Sequence, residues 1–253
     1  MRRAMGVRAA VLGLGLAIGL GLTGPAARAQ SDAAQSEAAV FDVQVAGVKA
    51  ATLSVTAQRN AAAYAVRAVI QSSGVVRLVR RVHFEASARG AQGKSGYVPA
   101  AYTESADTGQ RQSDVKMTYA DGVPQVLSYS PAPDPAATDA PDPSSLGGTL
   151  DPATALYAAL RDVAAGQACD VTWRTFDGRR LAQVTLGPAT PQADGGLRCA
   201  GEYQRLAGFT AKEMADKVRF PFDMTYAPLT PDRLRVVEVS LDTIFGKARL
   251  LRR

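Results

Sequence analysis

Cys169 and Cys199 are the only cysteines in a chain of 253 residues, and an Asp-Gly turn lies between them. Such a pair can act as a redox dithiol, hold a metal or form a staple. A thioredoxin-type dithiol sets its two cysteines two residues apart, whereas these are 30 positions apart. A four-ligand zinc site would have to recruit His83, the single histidine, and carboxylates that show no matching spacing. Outside the reducing cytosol, two cysteines and no others most economically form one disulfide, stabilising the fold by about 3–4 kcal/mol on the chain-entropy view. The expectation is therefore a structural Cys169–Cys199 disulfide, provided the protein is exported.

Nucleophile chemistry is announced more weakly. His83 lies in RRVHFEAS, where strand alternation puts it with Arg81 and Glu85 at the surface, and no nucleophile is paired with it. Ser113-Asp-Val-Lys116 has the S-x-x-K spacing, but that motif acts at a helix start and here it leads into a strand. Gly93-Lys-Ser-Gly96 lacks the final glycine of G-x-S-x-G, and no phosphate-cradling loop, zinc spacing or calcium loop is found. No catalytic residue, metal or cofactor is expected, and the chain reads as a non-enzyme. An enzyme with a site built from scattered carboxylates is a distant alternative.

Two groups of residues remain. Arg179 and Arg180 of FDGRR flank a hairpin, as solvated turn residues or as contacts for an anionic head group. Phe220, Phe222, Met224 and Tyr226 form an apolar stripe in KVRFPFDMTY, and Trp173 in VTWRTF joins them as a pocket candidate. The stripe is either a core face or the lining of a lipid or acyl-chain pocket. The two readings differ in whether a helix fills the concavity.

The N-terminus decides the compartment. Arg2, Arg3 and Arg8 precede an apolar run from Ala9 to Leu22, followed by a Gly24-Pro25 break and Ala27-Arg28-Ala29. That is the pattern of a cleavable signal peptide, residues 1–29, cut between Ala29 and Gln30. The run is too short for the roughly twenty residues of a bilayer span. The expected location is the periplasm, with no transmembrane anchor after cleavage. Four of the 29 basic residues (Arg2, Arg3, Arg8, Arg28) leave with the signal, so 25 basic face 23 acidic residues in the mature chain. No dense basic cluster with interleaved aromatics remains, which argues against nucleic acid as a partner.

Period-2 alternation dominates the rest, as in AVFDVQVAGVKAATLSV and KVRFPFDMTY, and predicts ten to twelve strands. Asp121-Gly122 and Asp177-Gly178 mark hairpins, and Pro221 predicts an edge or a bulge. One helix is well signalled over residues 151–166: Asp151 as N-cap, Pro152 at the first turn, Leu156, Leu160 and Val163 on one face, Gly166 as C-cap. A shorter one is expected around Phe209 to Lys217. The fold class is mainly β: a large curved antiparallel sheet, half-barrel or open barrel, with one or two helices on its concave face. Residues 30–38 are expected to be disordered. Residues 39–253 should form a single β domain with a Pro/Asp-rich flexible insertion at about 131–148. The disulfide poses a problem, because first and third strands of a flat meander lie about 9–10 Å apart, too far to bridge. The chain must bend there, or the topology is not a plain meander.

The order FDVQVAGVKAATLSV, SSG (72–74), VPAAY (98–102), DPATAL (151–156), FDGRR (176–180) and FPFDM resembles the bacterial family called domain of unknown function 3108, over about residues 40–250. DPATAL stands where such proteins tend to begin a helix, and FDGRR where they carry a hairpin turn. The resemblance implies an exported protein whose β architecture is similar to the half-barrels of periplasmic lipoprotein carriers, in which a curved sheet wraps a helix around an apolar cavity. It implies no catalytic residues, and fold-level kinship does not establish function. Two functions follow: a non-catalytic periplasmic monomer that binds an apolar or amphipathic ligand (a lipid or acyl chain) or chaperones an envelope component, or a structural/assembly factor with a filled core that meets an envelope protein through its surface.

Overall fold

The computed structural model describes residues 34–253, apart from positions 75, 80, 94–95, 110–111, 133–138 and 244–245. The expected signal peptide and Ala29/Gln30 cleavage site lie outside the described residues, as does the middle of the Pro/Asp-rich stretch.

Alternating apolar residues and tight turns build two antiparallel meanders. The first contains β1 (Gln35–Val45), β2 (Val48–Arg59), β3 (Ala63–Ser72), β4 (His83–Gly93), β5 (Gly96–Asp107), β6 (Gln112–Ala120) and β7 (Val123–Ser130), with a single helical turn, α1 (Val76–Val79), after β3. The second contains β9 (Val171–Phe176), β10 (Leu181–Pro191), β11 (Leu197–Ala207), β12 (Arg219–Thr230), β13 (Arg233–Thr243) and β14 (Gly246–Arg252), with α3 (Ala211–Asp216) between β11 and β12. Helix α2 (Pro152–Leu160) and the two-residue strand β8 (Val163–Ala164) join them. At the β6–β7 hairpin, Asp121 and Gly122 both take positive φ (51° and 76°), the conformation that matches a two-residue turn to the twist of its strands.

The first and last strands zip the meanders together: β1 pairs antiparallel with β14, Phe41 opposite Arg252. The strand path runs β7-β6-β5-β4-β3-β2-β1-β14-β13-β12-β11-β10-β9, with β8 paired to β13. The 14 strands make a nearly closed barrel with β7 and β9 at its seam. Residues 148–150 lie along that seam: Gly148 N–H donates to the Gly122 carbonyl, and Leu150 exchanges hydrogen bonds with Arg174 and Phe176 of β9.

Several expectations change. β1 begins at Gln35, so residues 35–38 are not disordered; they pair with Arg59 to Thr56 of β2. In the Pro/Asp-rich stretch, Pro143–Ser145 form a 3-10 turn capped by Asp142, and Leu146 is buried in the core. A side chain that leaves water this completely ties its segment to the barrel. Helix α2 starts as expected on the Asp151 cap and Pro152, but it ends at Leu160 rather than near Gly166. Beyond it, Asp162 pairs with Arg235 (2.6 Å) and Arg252 (3.2 Å), and Val163 joins β13 as β8. These distant partners outweigh the local helical pattern. Pro221 sits where β12 pairs with β11 but not yet with β13, whose register begins at Phe222, a locally one-sided position of the kind that tolerates proline.

The position of α2 fixes the interior. Its neighbours are β3, β4, β5 and β9. The inner faces of β3 and β4 carry Ala68, Ala86 and Ala88, all buried, and such small side chains let a helix approach closely. Tyr64 seals the contact, its hydroxyl 2.8 Å from Thr154 Oγ1. The helix therefore leans on the first meander and leaves space towards the second.

Candidate functional site

That space is a cavity of about 420 Å³. One wall is α2, through Leu156, Ala159 and Leu160. The other is the inner face of the second meander, with Tyr203, Phe220, Phe222, Met224, Val239 and Leu250. The lining is apolar apart from Thr175 and the Tyr203 hydroxyl, and Phe220, Phe222, Val239 and Leu250 are only half-buried. Apolar side chains left half-buried inside a barrel, rather than interdigitated to crystal-like density, mark room for something else.

Of the pocket residues expected from sequence, Phe220, Phe222 and Met224 meet here. Tyr226 and Trp173 do not: they border a larger, more polar recess of about 880 Å³ that also includes Arg161, Gly166 and Arg174. Tyr226 is a strut. Its hydroxyl donates to the Ala168 carbonyl at 2.9 Å, and burial pushes its pKa up to about 12. Gly201 makes room for Phe222, since a Cβ at that position would overlap the ring.

Near Phe220 the walls become charged. Alternation along β11 puts Arg205 on the same inward face as Cys199 and Tyr203, because Tyr203 faces Phe220 across the β11–β12 ladder. The Arg205 guanidinium carbon lies 4.8 Å from the Phe220 ring centroid, and Lys217 Nζ lies 5.0 Å from it. These are cation–π distances. Arg205 also donates to the carbonyls of Glu213 and Lys217, closing the end of α3. Strand alternation carries the signal for Arg205, a basic side chain near the end of β11 on the face of Cys199 and Tyr203.

The arginines singled out from sequence hold the same region together. Arg180 pairs with Glu213 at 3.1 Å and stacks over Phe209, its guanidinium carbon 5.5 Å from the centroid. Arg179 lies 6.0 Å over the Tyr129 ring, across the seam. Glu213 completes a capping box with Thr210 at the start of α3. Burial works against its ionisation, yet the Thr210 hydrogen bonds and the Arg180 and Arg205 charges hold its carboxyl below the usual range. Tyr203, within the influence of Arg205, Arg180, Glu213 and Asp177, is pushed up by burial.

Cys169 and Cys199 are bonded, Cα atoms 5.8 Å apart. The meander is plain, and local distortion removes the spacing problem. Cys169 precedes β9 in a bend where Asp170 takes φ 58° and its N–H donates to Gly187. The β10 register with β11 shifts between Leu186 and Ala189, directly beside Cys199. A bulge of this kind bends its strand and lets the chain cross to the third.

The motifs with catalytic spacing are dispersed. Ser113 is buried inside the barrel and Lys116 is exposed outside it, so the pair cannot act on one substrate. His83 is half-exposed, Nε2 3.8 Å from Glu85. Among the described residues no group of three or more His, Cys, Asp and Glu could hold a metal ion, and no helix is long and apolar enough to cross a membrane.

The profile of the family "Protein of unknown function (DUF3108)" matches residues 40–190. The chain belongs to the DUF3108 family. The match runs from within β1 through the rest of the first meander, α2 and the FDGRR turn, and stops before the FPFDM strand. A crystal structure of a β-barrel-like protein of the domain of unknown function DUF1849 from Brucella abortus is similar at 10% identity and TM-score 0.43, over 85% of this chain and 94% of that one. A comparison with curated proteins found no match.

Proposed function

We propose that this DUF3108 protein is a non-catalytic periplasmic binding protein, a monomer whose barrel takes up an apolar or amphipathic ligand such as a lipid or acyl chain. One observation carries the reading: α2 fills only the half of the barrel lined by alanines, and an apolar cavity of about 420 Å³ is left against β12–β14. This lies within the usual range for small-molecule sites. A cavity of this size admits an alkyl chain lying between α2 and the sheet. The disulfide supports export to an oxidising compartment.

The reading is tested by native mass spectrometry of the mature protein purified gently from the periplasm, followed by solvent extraction. A stoichiometric adduct of lipid mass is the expected result. An apo mass under conditions that preserve other lipid complexes would count against it. It would favour the second reading, an envelope assembly factor working through its surface, for which the observation is Leu127, 64% exposed on seam strand β7. An exposed apolar residue on an edge strand is a place for a partner to dock.

A further inference from the structure

Resting on the binding function above, we infer that the ligand is a single-chain anionic amphiphile whose head group, a carboxylate or a phosphate, sits between Arg205 and Lys217 where the cavity meets α3. The apolar part of the ligand follows from the cavity; the sign of its head group follows from the charges beside Phe220.

Arg205 and Lys217 both lie over the Phe220 ring, which is itself part of the cavity wall. Arg205 shares the inward face of β11 with Tyr203, whereas Lys217 is exposed and reaches the ring from the rim; neither side chain is itself part of the cavity lining. Nearby basic residues are neutralised differently. Arg219 faces outwards and pairs with Glu202, and Arg180 pairs with Glu213. Among the described residues, neither Arg205 nor Lys217 has a carboxylate within ion-pair distance. The acids that act on Tyr203 are committed elsewhere: Glu213 to Arg180 and the Thr210 cap, and Asp177 to the N–H groups of Arg179 and Arg180.

Tyr203 adds a neutral donor. Its ring meets Phe220 edge-on at 5.8 Å, and its hydroxyl has no hydrogen-bond partner among the described residues. Two cations without a carboxylate partner, one inward-facing and one at the rim, together with the Tyr203 phenol beside an otherwise apolar cavity, complement one anionic oxygen group with an alkyl tail. A cationic head group would be repelled, and a neutral one would leave both cations without an anionic partner. Carboxylate and phosphate both satisfy the arrangement: Arg205 favours planar, two-pronged contact, and Lys217 acts as a point charge on either.

The test uses the full mature protein and four probes sharing a twelve-carbon chain: dodecanoate, dodecyl phosphate, dodecanol and dodecyltrimethylammonium. Affinities are measured by isothermal titration calorimetry below the critical micelle concentration. The expected order is both anions at least about tenfold tighter than dodecanol, and the cation weakest. Lys217→Gln should weaken the anions about tenfold and leave dodecanol unchanged, and added salt should narrow the gap. Among the described residues Lys217 donates no side-chain hydrogen bond, so this variant keeps the barrel intact. The affinities of dodecanoate and dodecyl phosphate for the unaltered protein separate the two head groups: the tighter of the two names the ligand class, and Arg205→Lys, which retains the charge but not the fork, should weaken both. Ala159→Phe, which fills the cavity from the helix side, should abolish binding of all four probes. If dodecanol binds as tightly as the anions and Lys217→Gln changes nothing, the head-group assignment is overturned while the cavity stands. If no probe binds, the binding function itself fails.

Discussion

Replacing Asp151 with asparagine should stabilise the protein at neutral pH, although the carboxylate caps a helix. Asp151 is fully buried. Its Oδ1 accepts the Thr154 N–H at 2.8 Å and its Oδ2 accepts the Thr154 hydroxyl at 2.7 Å. Burial pushes its pKa from 3.8 up to about 6, and these hydrogen bonds only partly offset that. Between those pH values the folded protein holds a proton that the unfolded chain has released. Stability therefore falls as pH rises through this window, and the whole cost is present above pH 6. At 1.36 kcal/mol per pH unit it comes to about 3 kcal/mol. Asparagine caps helices as well as aspartate does. Its amide can donate to Thr154 Oγ1, which then donates to the Tyr64 hydroxyl. D151N should be about 2–3 kcal/mol more stable at pH 7.5 and equal to the wild type near pH 4. Urea denaturation at a series of pH values from 4 to 8 measures both limits, with Asp151→Ala reporting the value of the cap alone. A difference between wild type and D151N that does not vary with pH would refute the reasoning, because the carboxyl would then not change its protonation on folding.

Three further outcomes are expected. The double substitution Cys169→Ser, Cys199→Ser should lower stability by about 3–4 kcal/mol, and reductant should shift the wild-type thermal midpoint while leaving the variant unmoved. Tyr226→Phe leaves the Ala168 carbonyl without its donor and should cost about 1–3 kcal/mol, read by the same denaturation assay. Gly201→Ala forces the Phe222 ring towards the cavity; it should weaken alkyl-chain binding several-fold by calorimetry, at a stability cost of about 1–3 kcal/mol.

What could be read from the sequence was local. Asp-Gly pairs demanded tight hairpins, Asp151-Pro152 a helix start, and the even-numbered residues from Phe220 to Met224 one apolar face, because each depends on neighbours a few positions away. The end of α2 depended on Asp162 finding Arg235 and Arg252, 73 and 90 positions distant, and no local rule contains that. The order of residues 35–38 depended on β2 in the same way, and the anchoring of Leu146 on a core assembled from both meanders. For the site, the lining was half legible. Phe220, Phe222 and Met224 followed from alternation. The exclusion of Tyr226 and Trp173 followed from where α2 lies, which is set by alanines on β3 and β4 that carry no signal of their own. Arg205 was open to the alternation argument, but only its placement beside Phe220 and Lys217 gives it a meaning.

The pairing of β1 with β14 has a kinetic side. Each meander is assembled from hairpins whose partners are close in sequence, contacts that form early and cheaply. Joining Phe41 to Arg252 closes a loop of more than 200 residues, and the entropy of such a closure is met all at once. The two walls of the cavity belong to opposite sides of that event: α2 rests on the first meander, and Phe220 to Met224 belong to the second. The cavity therefore comes into being when the barrel zips, and a molecule held within it favours the zipped form by RT ln(1 + [L]/Kd). Occupancy would be written into the unfolding rate of the β1–β14 junction, the place where hydrogen exchange would register first whether the barrel is loaded or empty.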